Sequence, residues 1–134
     1  MKSPLRSYQD LKGWRVGMAL VLGSYRVCAR FPKGEAYGLA SQIRRAAVSV
    51  PANIAEGYGR AHRGDYLRHL SVANGSLKEW ETEVRIANDL GYLPGREYRV
   101  LMLTAEELGR MLRVLTKRLV RAPHPTPSHP TPTR

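Results

Sequence analysis

The sequence has few of the features that small secreted, membrane or metal-binding proteins depend on. Its 134 residues include one cysteine, Cys28, which excludes an internal disulfide framework and any cluster of cysteine ligands for a metal. No apolar run approaches the ~18 residues that a membrane-spanning helix requires. A basic start precedes the longest apolar run, but no small-residue cleavage site follows it, so a secretion signal is not indicated. We therefore expect a single-domain cytoplasmic protein without a membrane partner.

Acidic residues are also scarce, and this deficit is uneven along the chain. The sequence has 22 Lys and Arg against 11 Asp and Glu, a formal net charge of +11. Residues 1–33 carry +6 and residues 91–121 carry +4, whereas residues 34–60 carry +1 and residues 61–90 carry −1. An excess of this size favours a polyanionic partner, most often nucleic acid.

Four segments have apolar residues at alternating intervals of three and four, and none of similar length alternates with a period of two. This spacing places one apolar stripe along each of four helices. Short connections then favour an all-α fold, an antiparallel up-down-up-down four-helix bundle. The predicted core stripes are Leu11, Trp14, Met18, Val21, Tyr25 and Cys28; Ala36, Leu39, Ile43, Ala46, Val50 and Ile54; Tyr66, Leu70, Ala73, Leu77, Trp80, Val84 and Ala87; and Tyr98, Leu101, Ala105, Leu108, Leu112, Leu115 and Leu119.

Local signals mark the predicted helix starts. Ser7-x-x-Asp10 resembles a capping box, with Asp in place of the usual Glu or Gln. Glu35 favours the start of the second helix, and Asp65 is a plausible N-cap for the third.

Proline defines two further features. Pro51 lies inside the second helix and should kink it, yet the apolar stripe resumes at Ile54, so we predict one kinked helix rather than two short ones. Residues 122–134 contain five prolines and a repeated His-Pro-Thr-Pro, which predicts an extended, disordered tail after a bundle domain over residues 1–121. A docking peptide for a partner is the alternative for this tail.

The chain offers little for catalysis. The glycines at 57, 59 and 64 follow a helix rather than a strand and lack the Lys-Ser/Thr of a phosphate-binding loop. His62 and His69 have no further His or Cys at metal-ligand spacing. We predict no catalytic residue, metal site or cofactor. A hydrolase that uses Glu79 and Glu83 with His69 is a third hypothesis, and it requires a cleft that the sequence does not show.

Two polar stripes lie beside the apolar ones on the second and third helices. They are either solvated outer faces or surfaces that meet, with Arg45 facing Glu79 or Glu83 between neighbouring helices or across a subunit interface. The residues to which we assign a structural or assembly role are Gln42, Arg45, Ser49, Asn53, Glu56, Glu79 and Glu83.

The basic residues of the first and fourth helices form the strongest functional signal. These helices are neighbours in an up-down-up-down bundle, so their cations should share one face. Arginine outnumbers lysine seventeen to five, which suits bidentate phosphate contacts and stacking on exposed bases, and this favours RNA over DNA. The predicted nucleic-acid contacts are Arg15, Arg26, Arg30, Arg110, Arg113, Lys117 and Arg121.

The central motifs resemble one bacterial family. They are Tyr37-Gly38-Leu39, the run from Gln42 to Ala47, the run from Ser49 to Gly57, and Gly75-Ser76 through Glu79 with Glu81-Thr82. The chain is similar over residues 8–120 to the four-helix bundle family of 23S rRNA intervening-sequence proteins. This family also contains the accessory variability determinants of diversity-generating retroelements.

The resemblance implies a barrel-like homopentamer without catalytic activity. For the retroelement branch it also implies binding to a reverse transcriptase and to nucleic acid during synthesis of mutagenised cDNA. The motif does not separate the two branches, and the net charge favours the reverse-transcriptase accessory. The alternative is an intervening-sequence-type protein that acts as an oligomeric protein-interaction scaffold, with the basic face bound to an acidic partner.

Overall fold

The computed structural model describes residues 8–121, which form four α-helices with short connections. Each helix packs against the preceding and the following helix, and the first also packs against the fourth, so the fold is the predicted all-α four-helix bundle. The first and third helices therefore occupy opposite corners. The tail prediction for residues 122–134 and the capping residue Ser7 lie outside the described residues. The helices are α1 (Tyr8–Cys28), α2 (Leu39–Tyr58), α3 (Arg63–Asp89) and α4 (Gly95–Arg121), with a short 3-10 turn at Lys33–Glu35.

The predicted core stripes of α3 and α4 are confirmed. All seven apolar residues of the α3 stripe are buried, and on α4 only Tyr98 of its stripe is partly exposed. On α2, Ile43, Ala46, Val50 and Ile54 are buried, whereas Ala36 precedes the helix and is exposed. Three of the four helices thus present the face that their periodicity predicts.

The predicted core face of α1 is wrong. Leu11, Trp14 and Tyr25 are exposed, although Val21 and Cys28 of the same stripe are buried. The face that packs in the bundle carries small residues between its apolar ones, and their low hydrophobicity hides it from a periodicity argument. That buried face consists of Asp10, Gly13, Gly17, Leu20, Val21, Ser24, Val27 and Cys28.

The structure corrects one predicted helix start and supports another. The helix α3 begins at Arg63 with His62 as its N-cap, so Asp65 lies in the first turn, where its charge favours the N-terminus. Glu35 lies four residues before α2, and its carboxylate accepts a hydrogen bond from the Leu39 N–H at 3.0 Å. Glu35 thereby satisfies one of the free N–H groups of the first turn, which bears out its predicted role.

Pro51 lies within one continuous α2 helix, as predicted. It is buried against α1, where a Cβ added to Gly17 would lie 3.1 Å from the Pro51 Cβ. The glycine therefore allows α1 to approach the proline ring closely. The kink at Pro51 stays a prediction.

Two buried hydrogen bonds connect the helices at opposite corners, α1 and α3. The Trp80 Nε1–H donates to the Ser24 Oγ at 2.8 Å, and the Tyr66 hydroxyl donates to the Asp10 Oδ1 at 2.6 Å. Ser24 in turn donates to the Leu20 carbonyl at 2.7 Å. Buried polar groups of this kind are expensive unless they are paired, so these bonds help to define how α1 and α3 sit across the core.

Candidate nucleic-acid interface and interhelical polar network

The predicted basic residues are divided between the two ends of the bundle. α1 and α4 are neighbours, but they run antiparallel: Gly13 lies beside Leu115, and Arg30 contacts Glu97. Twenty residues of helix separate Glu97 from Lys117, which corresponds to about 30 Å. Sequence reasoning placed these cations on one face, whereas the antiparallel register separates them into two groups.

The first group, called here the α4 basic group, lies towards the start of α1 and the end of α4. All of its side chains are exposed, and none has a carboxylate within 4.0 Å among residues 8–121. A shallow groove of about 490 Å³ runs between Val114, Lys117, Arg118 and Arg121. The members of the α4 basic group are Arg15, Arg110, Arg113, Lys117 and Arg121.

The second group lies at the other end, where Arg26, Arg30 and Arg96 line a groove of about 540 Å³ between α1 and α4. Arg30 forms a bidentate ion pair with Glu97, including an Nη1–Oε2 contact of 3.2 Å. The hydrogen bond from Arg30 lowers the pKa of Glu97, and the same contact raises the pKa of Arg30. Arg30 therefore does not offer a free guanidinium. Arg96 is absent from the predicted contacts because it lies in the first turn of α4, away from the stripe of cations near the end of that helix.

The polar stripes of α2 and α3 meet inside the chain. The Ser49 and Ser76 hydroxyls form a hydrogen bond of 2.8 Å, and the Asn53 side-chain amide donates to the Ser49 carbonyl at 2.8 Å. His69 Nδ1 lies 2.9 Å from the Asn53 Oδ1 and 3.8 Å from the Glu56 carboxylate. Of the two interpretations of these stripes, the structure shows surfaces in contact between neighbouring helices. Their role in assembly stays a prediction.

Further along the same helix pair, the stripes open into a polar groove of about 560 Å³. Gln42 and Arg45 of α2 line it together with Glu79 of α3. Arg45 thus shares the groove with Glu79, as the sequence suggested, but no ion pair within 4.0 Å joins them in the described part of the chain. The groove leaves both charges accessible.

Glu83 is buried beside Glu79, with 6 % of its surface exposed. Its Oε1 has no hydrogen-bond partner among the described residues. Burial, together with the neighbouring Glu79, raises the pKa of Glu83 from 4.5 to about 7. The sequence predicts the stripe on which Glu83 lies. It does not predict that Glu83 is buried, because a glutamate beside the core residue Val84 is typical of an exposed helix position.

Of the residues considered for catalysis, His69 lies apart from the two glutamates. His69 and Glu79 are ten residues apart on one helix, which corresponds to about 15 Å, and His69 is engaged by Asn53. Cys28 is buried as predicted, and burial raises the pKa of its thiol to about 11. Within residues 8–121, no three His, Cys, Asp or Glu side chains form a group that could hold a metal. Nor does any helix of this region have the length and hydrophobicity needed to cross a bilayer.

These features define a basic four-helix bundle whose α2 and α3 share a polar network and whose α4 basic group has no carboxylate partner within residues 8–121. The model of the 23S rRNA-intervening sequence protein family matches residues 9–114, and the chain belongs to that family. It is similar in fold to a solved protein with unknown function from the S23 ribosomal protein family of Bacteroides thetaiotaomicron. That likeness has a TM-score of 0.76 at 18 % identity and covers 81 % of this chain and 98 % of the other. A comparison with curated proteins gives no match.

Proposed function

We propose that the protein is a non-enzymatic accessory protein that binds nucleic acid through the α4 basic group. The observation that carries this proposal is the set of exposed cations around Lys117 that lack carboxylate partners in the described region. Like charges on adjacent turns repel one another unless an anion lies between them. A phosphate backbone supplies such anions at regular spacing, without any requirement for base sequence.

The finer parts of the proposal rest on the family resemblance and on composition. The chain acts as a homopentamer in the cytoplasm, partners the reverse transcriptase of a diversity-generating retroelement, and binds its template RNA in preference to DNA. A reverse-transcriptase gene and a template repeat beside this gene would support that branch. A position inside a ribosomal RNA gene would favour the intervening-sequence branch.

The test is binding of a fluorescent RNA stem-loop, measured by anisotropy at 50 and 200 mM salt. If the five cations of the α4 basic group neutralise about five phosphates, affinity should fall by about 100- to 500-fold over this range. The double variant Arg113→Glu/Lys117→Glu should lose most of the binding at 50 mM salt and reduce the salt dependence.

A matched control variant makes the same change in net charge at a different place on the surface. Arg68 and Arg85 of α3 are exposed, and each is already paired, with Asp65 and Asp89 respectively. The variant Arg68→Glu/Arg85→Glu should therefore retain much more RNA binding than the α4 variant. Equal losses in the two variants, or no binding by the wild type at 50 mM salt, would refute the proposal.

A second candidate function is a protein-interaction scaffold. The observation that favours it is the outward face of α1, where Leu11, Leu22 and Tyr25 are exposed. Under this alternative, a complex with a partner protein survives nuclease treatment and contains no RNA.

A further inference from the structure

The outward face of α1 carries a continuous apolar surface. Solitary exposed apolar side chains are common on proteins, but here four exposed ones and the partly buried Met18 follow steps of three and four along the helix. Leu22 is 53 % exposed and Tyr25 is 48 % exposed. The surface covers fourteen residues of helix, which corresponds to about 21 Å. This outer stripe of α1 consists of Leu11, Trp14, Met18, Leu22 and Tyr25.

Positive charge borders the outer stripe of α1. Arg15 and Arg26 are exposed next to it, and neither has a carboxylate within 4.0 Å among residues 8–121. On the side of α2, the Arg44 guanidinium lies 5.7 Å from the centre of the Tyr25 ring. A partner for this surface must therefore combine apolar side chains with acidic ones.

The chain itself contains a surface of that description on α3. Val72 is 47 % exposed and Ile86 is 44 % exposed, and both lie on the same side of the helix as Glu79. Gly75 lies between them, and a Cβ added there would have no heavy atom within 4 Å, so this position leaves a notch. The surface extends over about 27 Å of helix axis. This outer stripe of α3 consists of Val72, Gly75, Glu79, Ile86 and Leu90.

The charges of α3 leave Glu79 available. Arg68, Lys78 and Arg85 are each paired with an acidic residue of α3 itself. Glu79 has no cation within 4.0 Å in the described part of the chain. A cation brought by another molecule would offset the repulsion between this carboxylate and its buried neighbour Glu83.

We propose that the outer stripe of α1 packs on the outer stripe of α3 of a second copy, with Arg26 close to Glu79 of that copy. The proposal rests on the oligomeric assembly proposed above and assigns its interface. Two α1 stripes packed on each other would instead bring Arg15 and Arg26 of both copies together without acidic residues. The complementary charges therefore select a contact between two different surfaces.

A contact of this kind repeats from copy to copy, because each chain keeps one free α1 stripe and one free α3 stripe. α1 and α3 occupy opposite corners of the bundle, so neither surface obstructs the other. Both stripes also border α2. The α1 stripe does so at Tyr25, which lies beside Arg44 of α2, and the α3 stripe does so at Glu79, which shares a groove with Arg45 of α2. Because both junctions lie towards the same helix, successive copies turn in one direction, which favours a closed ring.

The test is the mass of the full chain and its variants by sedimentation velocity. The wild type should sediment as a multiple of its 15.1 kDa monomer, with five copies as the expected number. Leu22→Asp on α1 and Val72→Asp on α3 should each reduce the assembly to monomers. The control Leu103→Asp, at an α4 position that is 64 % exposed, should retain the wild-type mass.

Mixing the two single variants tests the pairing of the surfaces. Val72→Asp retains a functional α1 stripe and Leu22→Asp retains a functional α3 stripe, so the mixture should form a species of two copies and no larger one. Circular dichroism verifies that each variant is helical, and Leu22→Ser replaces Leu22→Asp if the aspartate variant does not fold.

Each failure has a separate meaning. A monomeric wild type refutes both the assembly and its interface, whatever the result of the RNA-binding measurement. A wild-type mass in both variants refutes the interface alone. A mixture that stays monomeric refutes the pairing of α1 with α3.

Discussion

Replacing the buried Glu83 with glutamine should make the protein less sensitive to pH. Glu83 is almost fully buried, its Oε1 has no hydrogen-bond partner among the described residues, and Glu79 lies beside it. These surroundings raise the pKa of Glu83 from 4.5 to about 7. An uncharged amide of the same size does not have to release or retain a proton at this site.

The magnitude follows from proton linkage. Below pH 4.5 the carboxyl is protonated in both the folded and the unfolded chain, and its effect on stability is fully present. As the pH rises to about 7, the unfolded chain releases the proton while the folded chain retains it, so the free energy of unfolding falls. At ~1.36 kcal/mol per tenfold change in proton affinity, the interval corresponds to about 3 kcal/mol.

The assay is urea unfolding of the wild type and Glu83→Gln at equal protein concentration from pH 4.5 to pH 8. The stability of Glu83→Gln relative to the wild type should increase by about 3 kcal/mol across this range, with most of the change complete near pH 7. The control Glu106→Gln, at an exposed position of α4, should show a much smaller change. A difference between Glu83→Gln and wild type that is independent of pH would refute this account of Glu83.

Three further predictions follow from the packing. Gly57→Ala should lower the free energy of unfolding by about 1–3 kcal/mol in urea unfolding. The added Cβ would lie 2.5 Å from the Tyr66 Cδ1, and overpacking of a core has costs of this order. Unchanged stability would contradict the close approach of α2 and α3. Tyr66→Phe should cost about 1–3 kcal/mol by the same measurement, because the buried Asp10 loses this donor; a neutral effect would show that the bond contributes nothing. Cys28 should react with a thiol reagent at pH 8 only when the protein unfolds, because burial raises the pKa of its thiol to about 11. Rapid reaction of the folded protein would contradict that burial.

The sequence predicts the fold well wherever one helix face is much more apolar than the others. The stripe of α3, from Tyr66 to Ala87, is buried throughout, because it is apolar at every position while most of the remaining positions of that helix are polar. α1 has two apolar faces, and the more hydrophobic one points outward. Gly17 and Ser24 lie on the α1 face that packs in the core. Gly17 makes space for Pro51, and the Ser24 hydroxyl accepts a hydrogen bond from the Trp80 N–H. Those functions depend on neighbouring helices and leave no trace in the hydrophobic pattern of α1.

The sequence predicts which residues form the candidate site, but only part of their arrangement. The sequence places the cations on the helices that carry them. It also places Ser49 and Asn53 on one polar stripe, and the structure shows the second of its two interpretations, contact with α3. The division of Arg26 and Arg30 from the α4 basic group follows from the antiparallel register, which the sequence implies. The ion pair between Arg30 and Glu97 depends on the choice of the α1 face, and the prediction of that face was wrong.

The two hydrogen bonds between the diagonal helices also bear on how fast the protein unfolds. Asp10 and Tyr66 are 56 residues apart in sequence, as are Ser24 and Trp80, so each bond forms only when α1 and α3, with all of α2 between them in sequence, come together. Contacts with such long separations carry a large loop-closure cost and tend to form late in folding. Weakening one of them, as in Trp80→Phe, should therefore accelerate unfolding and leave the refolding rate nearly unchanged. These bonds would then act mainly on the lifetime of the folded chain, by slowing the first separation of α1 from α3.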